Sequence, residues 1–329
     1  MDIAIIGAGL AGLTCAAELN QAGHQVSLFD KGRGPGGRMS TRRADTSIGQ
    51  VRFDHGAQYI TAETSEFGAQ LETWAEAGHI AQWQGQFVDM SDTGSAAELE
   101  ASPRWVGVPA MNGLIRALAE PFNVTWGARV QEISGTPGAW TLGFEGKTDT
   151  AGPFHSVLLA IPAEQVGALL NDLAPHMAES AAAVVSAPSW TAMFAFDTPV
   201  PCEFDAARVQ SGPIGWAARN ASKPGRGPEE TWVVQASANW SHSHLEDSAE
   251  TVTESLLEAF RELSGAPAPI HAAAHRWRYA QATETAGGSH QFDPNLGLGT
   301  CGDWHLGGKC EHAWLSGRAL SRAIIVAQS

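Results

Sequence analysis

The hydrophobic pattern of the first thirty residues predicts a β-α-β unit. Residues 2–6 (DIAII) form a short apolar run, and a glycine-rich turn follows them. An alanine- and leucine-rich stretch with helical spacing extends to about Gln21, and a second apolar run, QVSLFD, ends at Asp30. Two strands joined by a helix over so short a distance are typical of a parallel sheet.

Strand and helix patterns continue through the rest of the chain. Helical spacing predicts helices over 66–77, 111–122, 248–263 and 311–327. Strand patterns occupy 124–133, 140–144, 157–161, 191–197 and 231–237. The proline- and glycine-rich segment SKPGRGPEE at 222–230 is typical of a loop.

These elements predict an α/β fold with a Rossmann-like dinucleotide-binding domain and a second, smaller α+β substrate domain built on a mixed or antiparallel sheet. In the middle of the chain, an alanine-rich stretch and alternating strand-like runs replace the earlier pattern. The last 60 residues return to a strand, a glycine-rich turn and a helix, so the first domain is expected to be discontinuous. We assign residues 1–62, 104–165 and 270–329 to the dinucleotide-binding domain, and 63–103 and 166–269 to the substrate domain.

Composition narrows the class of protein. The length of 329 residues suggests about two domains of roughly 150 residues each. A net charge of −15 argues against a general nucleic-acid binder, because such a surface needs basic residues. The four cysteines form no CxxC pair, which favours a reducing cytoplasm. The uncharged stretch 180–196 contains Pro188 and is too short to span a bilayer, so no membrane partner is expected.

The sequence GAGLAG fits the G-x-G-x-x-G motif and stands directly after a strand and at the start of a helix. In this setting Gly7 allows the tight turn, Gly9 lets a pyrophosphate approach the backbone, and Gly12 lets the helix pack closely on the strand. The helix N terminus adds N–H donors. Asp30 ends the second strand, where its carboxylate can accept hydrogen bonds from a ribose. The motif predicts a bound dinucleotide.

A second signal follows at residues 32–43, GRGPGGRMSTRR. Four arginines stand there beside bare glycine backbone in a chain that is otherwise acidic. A loop of this kind is often only solvated surface, but its place directly after Asp30 favours a dianion site.

These motifs resemble those of the amine-oxidase-like flavoproteins, in which a dinucleotide fold holds FAD. The resemblance rests on DIAIIGAGLAGL, LFDKG and GGRM near the start, and on LGTCGD and EHAWLSG near the end. The run DHGAQYIT at 54–61 resembles, more narrowly, the renalase-type members of this family. The resemblance covers both ends of the chain and thins through about 165–265. It implies that the predicted dinucleotide-binding domain is an FAD-binding domain.

Carried onto this chain, the resemblance implies contacts with FAD at specific positions. They are Gly7, Gly9, Ala11 and Gly12 at the pyrophosphate, Asp30 and Lys31 at the adenosine ribose, Gly37, Arg38 and Met39 beside the cofactor, Gly56 and Ala57 near the flavin, Val130 at the adenine, Gly302 and Asp303 at the pyrophosphate or ribitol, and Cys310 at the start of a helix that points to the flavin pyrimidine edge. Cys310 and His312 depart from the small aliphatic residues or glycine that the family often has there. No cysteine stands where covalent members tether flavin, so non-covalent FAD is expected.

The renalase-type resemblance implies an oxidase for isomeric dihydro forms of NAD(P)H. The 2- or 6-dihydro isomer would give NAD(P)⁺ by hydride transfer to flavin, and O2 would be reduced to hydrogen peroxide. A dihydropyridine needs no proton removed before the hydride leaves, so we assign no acid or base. Two alternatives stay open: an oxidase of primary or secondary amines, and a flavin-carrying redox sensor or binding protein without turnover.

Four residues are candidates for positioning the substrate. Gln58 and Tyr59 directly follow the turn that the resemblance places at the flavin. Trp105 and Trp277 lie in segments that lead into or back to the FAD-binding domain. For either tryptophan, an aromatic wall beside the flavin and plain packing are both open readings.

Other motifs give no support to a different chemistry. The GKT at 146–148 lacks the P-loop glycine, because residue 141 is threonine. No G-x-S-x-G elbow occurs. His242 and His244 have no third ligand signalled nearby, so no metal is expected.

Overall fold

The computed structural model describes residues 1–91, 96–99 and 102–328. Its helices are α1 (Leu10–Gln21), α2 (Ser65–Glu76), α3 (Asn112–Ala119), α4 (Gly167–Leu170), α5 (Pro175–Ala182), α6 (Ala238–Ser243), α7 (Ala249–Ser264) and α8 (Cys310–Ala327). Its strands are β1 (Asp2–Ile6), β2 (Gln25–Asp30), β3 (Arg42–Thr46), β4 (Gly49–Phe53), β5 (Ile80–Gln82), β6 (Phe87–Met90), β7 (Ala96–Glu98), β8 (Trp105–Gly107), β9 (Val124–Trp126), β10 (Val130–Thr136), β11 (Ala139–Phe144), β12 (Thr150–Phe154), β13 (Ser156–Leu159), β14 (Val185–Phe196), β15 (Ala206–Val209), β16 (Ile214–Arg219), β17 (Glu230–Ala236), β18 (His271–Glu284), β19 (Gln291–Asp293) and β20 (Leu298–Thr300).

The predicted β-α-β unit forms the centre of a six-stranded sheet of order β19-β20-β13-β1-β2-β9. All neighbours are parallel except β19 and β20. Side chains of β1 alternate between two cores, with Ile3 and Ile5 on one face and Ala4 and Ile6 on the other. Such continuous burial is what a parallel strand needs when both faces of its sheet are covered.

Helices α1 and α8 cover one face of this sheet and pack closely on each other. Leu13 and Leu19 of α1 share a core with Leu320 and Ile324 of α8. The backbones approach most closely at Gly317, where an added Cβ would lie 2.3 Å from the carbonyl oxygen of Ala11. The opposite face is covered by the β10-β11-β12 sheet and by α4 and α5.

A second sheet of seven strands has the order β18-β14-β17-β16-β15-β6-β7. Its pairs are antiparallel apart from β15 and β6, so the sheet is mixed. One face packs on α7, where Leu256 and Phe260 meet Phe194 and Trp232. The Rossmann-like sheet and this mixed sheet confirm the predicted fold class.

The pairing of strands differs from the predicted domain boundaries at two places. Strand β18 lies in the seven-stranded sheet beside β14, although it follows the expected boundary at 270. Helices α4 and α5 share a core with Ala4 and Val157 of the six-stranded sheet, although they follow the boundary at 166. The hydrophobic pattern cannot locate these two domain boundaries, because an apolar face on a strand or helix does not show which sheet it packs against. Residues 92–95 and 100–101 of the predicted segment 63–103 lie outside the described residues.

The predicted helices of eight residues or more agree closely with the observed ones. The helix expected at 248–263 spans Ala249–Ser264, and the terminal helix spans Cys310–Ala327. The strand expected at 124–133 is broken at Gly127, whose φ of +68° separates β9 from β10. Among the described helices, none is long and apolar enough to cross a bilayer.

Two helical glycines provide a matched test of the α1–α8 contact. Gly317→Ala should lower the free energy of unfolding by about 2 kcal/mol, because the new methyl group meets backbone that cannot rotate away. Gly68→Ala in α2 should raise it by about 0.5–1 kcal/mol, since its Cβ has room and alanine favours a helix. Urea unfolding of both variants measures the difference. A stability of Gly317→Ala equal to that of Gly68→Ala would contradict this packing.

Candidate active site

A cavity of about 600 Å³ lies between the two sheets and collects residues from distant parts of the chain. The predicted site residues that line it are Gly9, Ala11, Arg38, Met39, Gly56, Ala57, Gln58, Tyr59, Trp277, Gly302, Asp303 and Cys310. Gly7, Gly12, Asp30, Lys31, Gly37, Val130 and Trp105 are not part of this lining.

The glycine-rich turn at the start of α1 leaves room for a ligand at one residue and none at two others. Gly7 has a φ of +106°, and a Cβ on Gly12 would lie 2.0 Å from the carbonyl oxygen of Gly7. Both glycines therefore serve the turn itself. A Cβ on Gly9 would meet no atom within 4 Å, and Gly9 lines the cavity. This open backbone at a helix N terminus fits a pyrophosphate.

Asp30 stands at the carboxyl end of β2, next to the same turn. Its carboxylate accepts hydrogen bonds from the backbone N–H of Ala8 at 2.8 Å and of Gly32 at 2.6 Å. Its carbonyl oxygen accepts from the N–H of Ala128, which brings the chain leading to Val130 close by. Lys31 donates to the Gln165 amide oxygen at 3.0 Å. These residues group beyond the cavity lining, and their contact with adenosine stays a prediction.

A paired guanidinium and carboxylate join the two ends of the chain. Arg38 lies in the short helical turn Gly37–Met39 and donates to both carboxylate oxygens of Asp303, one of them at 2.7 Å. Burial lowers the pKa of Arg38, but the negative charge of Asp303 outweighs burial and raises it above its usual value. A bidentate pair of this kind fixes the GGR segment against the Gly302-Asp303 turn.

The turn at Gly56 and Ala57 is held against the Arg38 backbone. A Cβ on Gly56 would lie 2.0 Å from the Arg38 carbonyl oxygen, and the Ala57 N–H donates to that oxygen at 2.9 Å. The Gly56 carbonyl oxygen accepts from the Gln235 side chain at 2.8 Å. The turn therefore forms a fixed wall of the cavity.

Helix α8 begins at Cys310, which also lines the cavity. Burial raises the pKa of its thiol to about 12, and the charge of Asp303 adds to the effect. The thiol is therefore neutral at physiological pH, and thiols are weak nucleophiles in that form.

Aromatic side chains stand on the part of the cavity that faces the seven-stranded sheet. The Tyr59 and Trp216 rings lie 5.4 Å apart, and both line the cavity. Trp277 of β18 donates from its indole N–H to the His55 carbonyl oxygen at 2.9 Å, which fixes the ring. Trp105 pairs with Ile60 through backbone hydrogen bonds but does not reach the lining. The structure thus separates two tryptophans that the sequence left equivalent.

Gln58 is tied into the wall by a buried cluster of charges. Its Nε2 donates to the carbonyl oxygens of Asp54 at 2.6 Å and Gly56 at 3.1 Å, and its Oε1 accepts from Lys223 at 3.0 Å. Arg226 donates to the Asp54 carboxylate from two nitrogens. Burial raises the pKa of Asp54, but these two cations, together with hydrogen bonds from Thr41 and Met111, hold it below its usual value. Asp54 is therefore a charged carboxylate in the protein interior.

Sequence reasoning missed four residues of this region. Trp216 and Gln235 line the cavity from β16 and β17, and Lys223 and Arg226 belong to the segment that was predicted to be only a loop. Lys223 and Arg226, three residues apart, were the available sequence signal, but ordinary surface loops have the same composition. Only burial distinguishes this segment from a surface loop, and burial depends on the tertiary structure.

Comparison with known families identifies the chain. The model of flavin-containing amine oxidoreductases matches residues 90–325, and the model of NAD(P)-binding Rossmann-like domains matches residues 5–76. The chain belongs to the flavin-containing amine oxidoreductase family. FAD is accordingly its cofactor, as predicted, and the chain is an oxidoreductase of this family.

Individual relatives resemble the chain either over a short segment or in fold alone. The 4,4'-diapophytoene desaturase of Staphylococcus haemolyticus is 51% identical over 45 residues, which are 14% of this chain and 9% of that enzyme. Putrescine oxidase bound to putrescine superposes with a TM-score of 0.73 at 14% identity, over 99% of both chains. Cyclohexylamine oxidase of Brevibacterium oxydans gives 0.73 at 12% identity, over 99% of this chain and 98% of that one.

The Arg38–Asp303 pair supplies a test of the cofactor site. Arg38→Ala should raise the dissociation constant for FAD roughly ten- to hundredfold, because a charge-assisted contact is lost and Asp303 is left without its partner. Fluorescence titration of apoprotein with FAD measures the constant. Arg43→Ala, an exposed arginine of β3, is the control and should leave it unchanged. Equal constants for both variants would remove Arg38 from the cofactor site.

Proposed function

We propose that the protein is an FAD-dependent oxidase of isomeric dihydro forms of NAD(P)H, a renalase-type activity within its family. FAD, which Gly9, Arg38, Gly56 and Asp303 would hold in this cavity, would supply a hydride acceptor for the 2- or 6-dihydro ring, and the overall reaction would convert the dihydro form, O2 and a proton to NAD(P)⁺ and hydrogen peroxide. The polypeptide has to hold a flat, electron-rich ring beside the flavin and keep water away from it.

The uncharged aromatic wall is the observation that carries this proposal. Tyr59, Trp216 and Trp277 line the cavity with aromatic side chains, and Ser189 and Gln235 line it with neutral polar ones. A dihydropyridine ring can stack on an aromatic side chain, and its carboxamide can exchange hydrogen bonds with neutral groups. Tyr59 and Trp277 are proposed to orient the substrate. Gln58 is proposed to act from within the wall, because its amide is already bonded to protein groups.

The charged groups of the lining support hydride transfer without a base. Among the described residues that line the cavity, Asp303 is the one carboxylate, and it is bound to Arg38. Lys309 is bound to Glu63 outside the wall, and the high pKa of Cys310 keeps its thiol neutral. The substrate proposed here is already electron-rich, so no residue has to remove a proton.

The runner-up is oxidation of a primary or secondary amine. The neighbouring rings of Tyr59 and Trp216, whose centres lie 5.4 Å apart, favour it, because aromatic side chains can hold an amine next to flavin. Family membership is equally compatible with this activity. A flavin-carrying redox sensor without turnover is the third candidate.

Further elements of the proposal concern the cofactor, the partners and the location. FAD is proposed to be held without a covalent bond, since Cys310 is a neutral thiol where it meets the cavity. A dinucleotide substrate and O2 are the proposed partners. A reducing cytoplasm is the proposed location, because all four cysteines are unpaired.

Anaerobic mixing distinguishes the three candidates. The FAD-loaded protein should lose its visible flavin absorbance with 2- or 6-dihydro-NAD(P) and recover it when O2 is admitted, with one peroxide formed per substrate. Putrescine, cyclohexylamine and ordinary NADH should leave the absorbance unchanged on the same time scale. Bleaching by an amine alone would establish the runner-up, and no bleaching by any of them would favour the sensor.

A pair of matched substitutions tests the aromatic wall. Trp277→Phe should slow flavin bleaching at saturating substrate about tenfold or more, because the ring loses the hydrogen bond that fixes its position. Trp105→Phe should leave the rate nearly unchanged, since Trp105 stands away from the lining. Stopped-flow absorbance gives both rates with FAD fully bound. If both variants bleached flavin equally slowly, Trp277 would contribute only to packing and would not orient the substrate.

A further inference from the structure

A surplus of positive charge is buried directly behind one wall of the cavity. Lys223 has a fully buried side chain, and the exposed fraction of the Arg226 side chain is 2%. Within the described part of the chain, the ion pairs of both cations are made with one carboxylate, that of Asp54. The Lys223 Nζ lies 3.7 Å from an Asp54 oxygen, whereas Arg226 bonds to it directly. Two cations and one anion leave a net charge of +1.

The surroundings of Lys223 favour its charged form only in part. Its ammonium stands 5.1 Å from the centre of the Trp83 ring, which attracts a cation through the ring face. It donates to the Gln58 Oε1 at 3.0 Å, and this is its one hydrogen bond to a neutral group among the described residues. Arg226 repels it. A buried cation that shares its one carboxylate with a second cation lowers the stability of the fold. We therefore ask what Lys223 contributes to the cavity.

The hydrogen bonds of Gln58 show what the ammonium does to the wall. Both N–H groups of the Gln58 amide are used by the carbonyl oxygens of Asp54 and Gly56. The opposite orientation of the amide would direct its oxygen at two carbonyl oxygens and its NH2 at an ammonium. Lys223 and the two carbonyl oxygens therefore favour the same orientation of Gln58, and Gln58, together with Gln235, holds the carbonyl group of the Gly56–Ala57 turn.

We propose that Lys223 is a positioning residue that sets the Gln58 amide and the Gly56–Ala57 turn, and that its uncompensated charge favours the reduced, anionic form of bound flavin over the oxidised form. The proposal rests on FAD being the cofactor and is independent of which substrate delivers the hydride. The charge acts across the wall, because Gln58, Gly56 and Ala57 line the cavity while Lys223 lies behind them.

The charge count separates this role from a structural one. Removing Lys223 leaves Asp54 and Arg226 as a neutral pair, so the fold should tolerate Lys223→Met. Removing the Asp54 charge leaves two cations without a carboxylate, so Asp54→Asn should unfold at a much lower denaturant concentration than wild type. If Lys223 were needed only for folding, Lys223→Met would lower the free energy of unfolding as much as Asp54→Asn does.

The decisive measurement is the midpoint potential of the bound flavin, followed by dye-coupled anaerobic reduction without any substrate. Lys223→Met should weaken binding of reduced relative to oxidised FAD about tenfold, which lowers a two-electron potential by about 30 mV. Lys147→Met, the same change at an exposed lysine, is the control and should leave the potential as in wild type. Lys223→Arg keeps the charge and should restore most of the potential.

The pH dependence supplies a second readout that needs no variant. Burial lowers the pKa of Lys223 to about 8, although Asp54 opposes the shift; Arg226 adds to it. The charged groups that face Lys223 are Asp54 and Arg226, and the lowered pKa of Asp54 keeps its carboxylate charged through this range. The wild-type potential should therefore fall more steeply above about pH 8, where the ammonium loses its proton. Lys223→Met should lack this break.

Two results would overturn the proposal. The first is an unchanged potential in Lys223→Met with FAD fully bound. The second is a wild-type potential with no break between pH 7 and 9, which decides the question even if Lys223→Met does not fold. Failure to oxidise dihydro-NAD(P) would contradict the proposed function but would leave both of these readouts intact.

Discussion

Burial of the Asp54 carboxylate is the constraint on which the arrangement of the site depends. A charge in the protein interior has to be matched by partners, and Asp54 draws them from separate parts of the chain. Thr41 donates from the segment leading into β3, Met111 donates its N–H ahead of α3, and Arg226 donates from the loop beyond β16. Because all three must converge on one carboxylate, the seven-stranded sheet is fixed against the FAD-binding side.

The Gly56–Arg38 backbone contact and the Arg38–Asp303 ion pair also hold the cavity walls together. The Gly56 turn lies directly under the Arg38 carbonyl group, and Arg38 in turn holds Asp303. The first contact leaves no room for a side chain at position 56, and the second depends on the charges of both partners. The two ends of the sequence are thereby brought to one cavity, whose walls are held by contacts between protein groups. Preorganisation of this kind is what a flavoprotein needs, since the cofactor supplies the reactive atoms and the protein supplies orientation.

Buried cations and aromatic side chains both border this cavity. The Lys223 and Arg226 cations lie outside the lining, whereas Tyr59, Trp216 and Trp277 are part of it. Groups behind the wall can influence the flavin without binding the substrate. The charged side chains of the described lining are Arg38, which pairs with Asp303, and Lys309, which pairs with Glu63, so the lining gives little help to a reaction that needs a base.

The sequence by itself determined the β-α-β unit, the glycine turn, Asp30 and the GGR segment, and through them the fold class and a dinucleotide site, while the family resemblance of these motifs implied FAD. These features are contiguous, so hydrophobic period and residue type were enough to find them. Tertiary structure alone decided that Trp277 lines the cavity while Trp105 does not, and that Lys223 lies buried against Gln58. It also assigned β18 to the second sheet. The physical reason is that the pairing of β14 with β18 joins residues from 76 (Ala195 and His271) to 99 (Val185 and Glu284) positions apart, and the Lys223–Gln58 contact joins residues 165 positions apart; no local pattern records such pairings.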